Sequence, residues 1–160
     1  MGLDAAVYCD CYERGKVRRP PPQPELVSVD DYGGLKLAWD QPNADQFGFY
    51  HWLATACEHG PMGHLVSHRL GNIALIGFLR TLLASDPTRF PILLTRVLYD
   101  GTHAGDFLSS ADVELVSVEV KRLNEVHAVR ESDEDLIRNF ERQMRQLVQA
   151  AQSVGKPIAF

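Results

Sequence analysis

The stretch "SDEDLIRNFERQMRQLVQAAQSVG" (132–155) constrains the chain most. Leu136, Phe140, Met144, Leu147 and Ala151 recur at intervals of three and four, the spacing that lines one face of an α-helix. Ser132 is placed to cap that helix, and acidic residues crowd a first turn where the helix dipole favours them. Gly155 suits a left-handed stop, and Pro157 forbids continuation. A long helix with one apolar stripe needs a second layer against which to bury it.

The rest of the chain supplies that layer as strands and further helices. Residues 3–12 alternate as a strand, with Val7, Cys9 and Cys11 on one face and Tyr8, Asp10 and Tyr12 on the other. "RRPPPQPE" (18–25) is a connector, because its prolines remove donors and favour polyproline II. "ELVSV" and "LKLAW" flank "DDYGG" and read as a hairpin. A helix follows through "FGFYHWLATAC", capped by Asn43 or Asp45, with Phe49, Trp52, Leu53 and Ala56 inward; Gly60 and Pro61 end it. A second, apolar on most sides, starts near Gly71 or Asn72 and runs to about Ala84. "FPILLTRVLYDG" is open to strand or helix over 92–99; its β-branched and aromatic content favours strand. A third helix follows "SSADVE", capped by Ser109 or Ser110, with Val113, Val116, Val120 and Leu123 inward. "PIAF" is a short final strand or tail. Strands and helices do not alternate, so the expectation is one α+β domain over 1–160, a small mostly antiparallel sheet packed on about four helices.

Charge narrows the function. With 16 basic and 21 acidic residues the formal net charge is −5, against a primary nucleic-acid or membrane-surface role and suited to a basic partner. No segment reads as a secretory signal or a membrane span, and three cysteines do not form a paired framework. The expected compartment is the reducing cytoplasm.

The chemistry-bearing residues gather in "CEHGPMGHLVSHRLGN" (57–72) and in "CDC" (9–11). Zinc takes four Cys, His or carboxylate ligands, and Cys11, Cys57, His59 and His68 form the candidate set, with Cys9 an alternative to Cys11. Against it, Cys9 and Cys11 on a straight strand stand roughly 6.5–7 Å apart, too far for two zinc–sulfur bonds unless the strand bends. Packing of both thiols on a sheet face is therefore favoured over stoichiometric zinc. Cys57, at a helix C-terminus, is a poor nucleophile. Nucleophile elbows, P-loops and dinucleotide fingerprints are missing from the sequence. A second constellation, His68, Arg69, Asn72, His103 and Asp106, could bind a partner. The plainer account is a turn before the second helix, with Arg69 paired to Asp100 or Asp106 and with His103 and Asp106 projecting from a loop.

"MGLD" at the start, "SHRLGN" leading to an apolar helix that ends "FLR", "HAGDFL", and the closing "VGKPIAF" resemble a set of small bacterial proteins, some of whose neighbours are regarded as immunity proteins of toxin systems. The resemblance implies a non-enzymatic protein with a protein partner, a toxin in the immunity case. The expected function is recognition of another protein, with a zinc protein or small metal-dependent hydrolase as the alternative.

Overall fold

A computed structural model describes residues 2–101, 103–128 and 130–160. Met1 of the "MGLD" start and Thr102, beside His103 of the candidate binding loop, lie outside them. The fold is α+β. Strands β1 (Gly2–Tyr8), β4 (His64–Asn72), β5 (Phe107–Leu108) and β6 (Ile158–Ala159) form an antiparallel sheet in the order β4-β1-β6-β5. A separate hairpin pairs β2 (Val27–Val29) with β3 (Leu35–Leu37), Val27 opposite Leu37. Asp30 holds its turn by accepting from the backbone N–H groups of Tyr32 and Gly34 at 3.0 and 2.9 Å.

The helices are α1 (Gln46–Leu53), α2 (Ile73–Leu83), α3 (Ser110–Arg122) and α4 (Glu131–Val154). Asp45 caps α1, Asn72 caps α2, and Ser109 with Asp112 makes a capping box for α3. Helix α4 packs on β4, β1 and α3. Ile137, Phe140, Met144 and Leu147 are sealed in the main core with Leu3, Val7 and Leu70 from the sheet. Each such side chain contributes roughly 1.5–3 kcal/mol through burial. Gly155 takes φ 66°, and the chain turns there into β6, which sits between β1 and β5.

Four expectations need correction. Ser132 does not cap α4: the helix starts at Glu131, and Glu134 reaches back to accept the Ala128 N–H at 2.9 Å. Arg138 braces the same start by bonding Glu134, Glu141 and the Leu123 carbonyl. Leu136 is 40% exposed, because the buried stripe passes through Ile137 instead. Residues 91–97 are helical, ending in a π-turn over Leu93–Val97, not a strand. The cause is a cap from elsewhere in the chain: the Glu119 carboxylate on α3 accepts from the N–H groups of Ile92 and Leu93 at 2.9 and 2.8 Å. Finally, "SHRLGN" is strand rather than turn, paired along β1.

The 18–25 connector is docked. Pro21 is buried, Arg18 N–H donates to Ala56 O, and Trp52 Nε1 donates to Arg19 O, both at 2.8 Å. It closes a second, smaller core of Leu37, Phe49, Trp52, Leu53 and Ala56. Lys156 ties this unit to the main body, donating to Gly33 O at 2.6 Å and pairing with Glu13 at 2.8 Å.

Candidate metal centre

Strand β1 ends at Tyr8, and the chain then coils. Arg14 N–H bonds Asp10 O at 3.0 Å and Lys16 N–H bonds Cys11 O at 2.7 Å. The straight-strand geometry that separates Cys9 from Cys11 therefore does not hold. On the other side, α1 stops at Leu53, so Cys57 follows the helix rather than ending it. Gly60 and Gly63 adopt φ 82° and 67°, the left-handed region that favours glycine, and turn the chain back into β4. Pairing of Tyr8 with His64, and a Cys9 N–H bond to Gly63 O at 2.8 Å, lay the two turns side by side.

Four donors converge as a result. Cys9 Sγ lies 3.7 Å from Cys57 Sγ, and Cys11 Sγ lies 3.4 Å from His59 Nδ1. The four ligand atoms of Cys9, Cys11, Cys57 and His59 are all within 4.8 Å of one another. With zinc–sulfur bonds of about 2.3 Å and zinc–nitrogen bonds of about 2.0 Å, tetrahedral geometry puts sulfurs about 3.8 Å apart and sulfur and nitrogen roughly 3.5 Å apart. Among the described residues no other group of three or more His, Cys, Asp or Glu donors comes together this way.

Burial pushes the Cys9 thiol up to about 12, with the Cys57 thiol adding to the rise and the Cys11 backbone N–H opposing it. Burial also raises Cys11. These shifts describe the cluster without a cation; a divalent ion at its centre reverses their sense and holds coordinating thiols deprotonated. Lys16 and Arg18 line the cleft beside the cluster, as do Asp10 and Glu58.

Three of the sequence candidates, Cys11, Cys57 and His59, are thus brought together, and the fourth position belongs to Cys9. His68 sits further along β4, opposite Ala5 and beside Gln146 and Gln149 of α4. The paired i, i+2 spacing of "CDC" and "CEH" was the available signal.

The second constellation does not assemble. β4, which carries His68 and Arg69, and β5, which follows Asp106, are opposite edges of the sheet. Among the described residues no ion pair joins Arg69 to Asp106. Asp106 instead accepts from the Tyr99 hydroxyl and lies 3.3 Å from His103 Nδ1. The His103 side chain is 4% exposed and stacks on Tyr99 rather than projecting from its loop. Asn72 is occupied in capping α2, accepting the Leu75 N–H at 2.9 Å.

No helix among the described residues is long and apolar enough to cross a membrane. Comparisons with protein-family models, curated proteins and solved structures return no match, so the reading of the centre rests on its own geometry.

Proposed function

We propose that this chain is a zinc-binding protein in which Cys9, Cys11, Cys57 and His59 hold one structural ion. The observation that carries the reading is the pair of separations, 3.7 Å between sulfurs and 3.4 Å from sulfur to nitrogen, at the edge lengths of a zinc tetrahedron. Three thiolates and a neutral imidazole around a divalent cation leave one negative charge, beside a cleft whose Lys16 and Arg18 are matched by Asp10 and Glu58. Four protein ligands close the sphere and leave no position for water, so the metal-dependent hydrolase reading loses support. The ion's role is to staple the hairpin unit to the sheet.

Recognition of another protein, including the immunity-type role that the sequence resemblance implies, stands beside this as a second reading. It is favoured by exposed aromatic residues on the unit the metal would staple.

Elemental analysis of protein purified without chelator tests the metal reading. One zinc per chain is expected, falling well below stoichiometry in Cys11→Ser and unchanged in His68→Ala. Cobalt substitution should give the charge-transfer and d–d bands of tetrahedral thiolate coordination. Metal-free protein that takes up neither ion would overturn the proposal.

A further inference from the structure

The net charge is not spread along the chain. Residues 20–63 hold six acids (Glu25, Asp30, Asp31, Asp40, Asp45 and Glu58) against one base, Lys36, a formal −5. That equals the net charge of the whole chain, and the remaining residues carry fifteen bases and fifteen acids. Among the described residues the ion pairs lie elsewhere, in groups such as Arg138 with Glu134 and Glu141. None of them involves these six acids. Arg18 and Arg19, docked on the same unit, bring it to a formal −3, so its field remains negative.

Exposed aromatic surface coincides with it. Between the hairpin and α1 lies a cleft of about 420 Å³ walled by Tyr8, Tyr32, Trp39, Phe49, Tyr50 and Met62, with Asp30 and Asp31 also in its lining. The volume falls in the range of about 300–1,000 Å³ usual for ligand sites. Trp39, Tyr50 and Met62 keep 47%, 50% and 49% of their surface exposed, although the small core of Leu37, Phe49 and Trp52 lies beside them. The Trp39 and Tyr50 rings are 5.8 Å apart and inclined at 46°, a tilted contact that leaves both half-exposed. Lys36 also lines the cleft, so its charged groups sum to one negative.

Aromatic faces attract cations through the ring quadrupole, and carboxylates in the lining add direct charge attraction. Half-exposed tryptophan and tyrosine beside a packed floor are also the residue types that dominate protein interfaces. An acidic nucleic-acid backbone or an anionic membrane would be repelled. We infer that this cleft takes an arginine or lysine side chain from a basic segment of a protein partner, held against the exposed faces of Trp39 and Tyr50 and steered by Asp30 and Asp31. This gives the recognition reading a chemistry, and it does not depend on the metal reading.

The probe is a peptide of alternating glycine and arginine, titrated calorimetrically into the full chain, with an alternating glycine–glutamate peptide as control. Saturable binding of the basic peptide alone is expected. It should weaken about tenfold in Trp39→Ala and in Tyr50→Ala. Asp31→Asn should weaken it less and flatten its salt dependence. All three side chains are exposed, so unchanged thermal melts are expected and separate lost binding from lost folding. Absence of binding, equal binding of the acidic peptide, or undiminished binding by Trp39→Ala would each overturn the assignment. So would self-association of the wild-type chain abolished by Trp39→Ala, which makes a second copy the occupant. Peptide binding by a chain that holds no zinc would leave the cleft standing and sink the metal reading alone. A protein partner that binds Trp39→Ala as well as wild type would leave recognition standing and sink the cleft.

Discussion

Removing the metal should loosen one part of this protein far more than the rest. The ligands join residues 9–11 to residues 57–59, a separation of 48 along the chain. A crosslink closing a loop of that length stabilises by about 4 kcal/mol on the chain-entropy account. The enclosed unit depends on it because its own core is only Leu37, Phe49, Trp52, Leu53 and Ala56, and cores this small rarely hold without a staple. The main body has a large independent core and is expected to survive.

The chain reports on the two parts separately. Both tryptophans, Trp39 and Trp52, lie in the hairpin unit, whereas most of the helical signal comes from α2, α3 and α4. Titration with a zinc chelator should therefore red-shift tryptophan emission, as Trp52 loses its bond to Arg19 O and its packing, while far-UV ellipticity falls only modestly. Cys57→Ser should reproduce the effect, and chelator added to Cys57→Ser should do little more. Loss of metal with unaltered emission and melting temperature would refute the staple. Coincident loss of both signals would refute the idea that the smaller core is the weak part.

Other expectations follow from the packing. Phe140→Ala should cost about 3–5 kcal/mol through a cavity in the sealed core, and Leu136→Ala on the same helix less than about 1 kcal/mol, by denaturant titration; similar losses would mean the stripe is on the wrong face. Arg69→Ala should shift stability by no more than about 0.5 kcal/mol, since its strand-edge side chain is exposed and outside the ion pairs of the described residues. Glu119→Ala should cost roughly 1–3 kcal/mol by stranding the N–H groups of Ile92 and Leu93, with the 91–97 turn losing hydrogen-exchange protection first. Burial raises the Glu119 carboxyl above its ordinary 4.5, opposed by those two N–H bonds. A raised carboxyl favours the folded state most below 4.5 and loses that contribution as pH climbs through the folded value. The melting temperature of wild type should therefore rise relative to that of Glu119→Gln as pH falls towards 4.5; a relative fall would contradict the burial argument.

What the sequence makes legible depends on how far the deciding partner lies along the chain. Asp45, Asn72 and Ser109 cap helices through bonds three residues away, and Gly155 needs only its own φ, so local chemistry narrows each cap to two candidates and names the stop. The 91–97 helix is misread because its cap, Glu119, is 26 residues from Leu93. Its β-branched residues then look like a strand. The metal centre falls between these cases. The residue types and the spacings of "CDC" and "CEH" are visible, but whether two cysteines two apart can share an ion depends on where β1 stops. A strand carried on to Tyr12 would hold the sulfurs apart, and the turn from Asp10 to Lys16 brings them together. His68 fails as a ligand for the converse reason. Being in register with Ala5 fixes it three pairs from the Tyr8–His64 end of the ladder, and the cluster forms just beyond that end. At about 3.3 Å per residue, that offsets its backbone roughly 10 Å from the end of the ladder, and its ring is not among the converging donors.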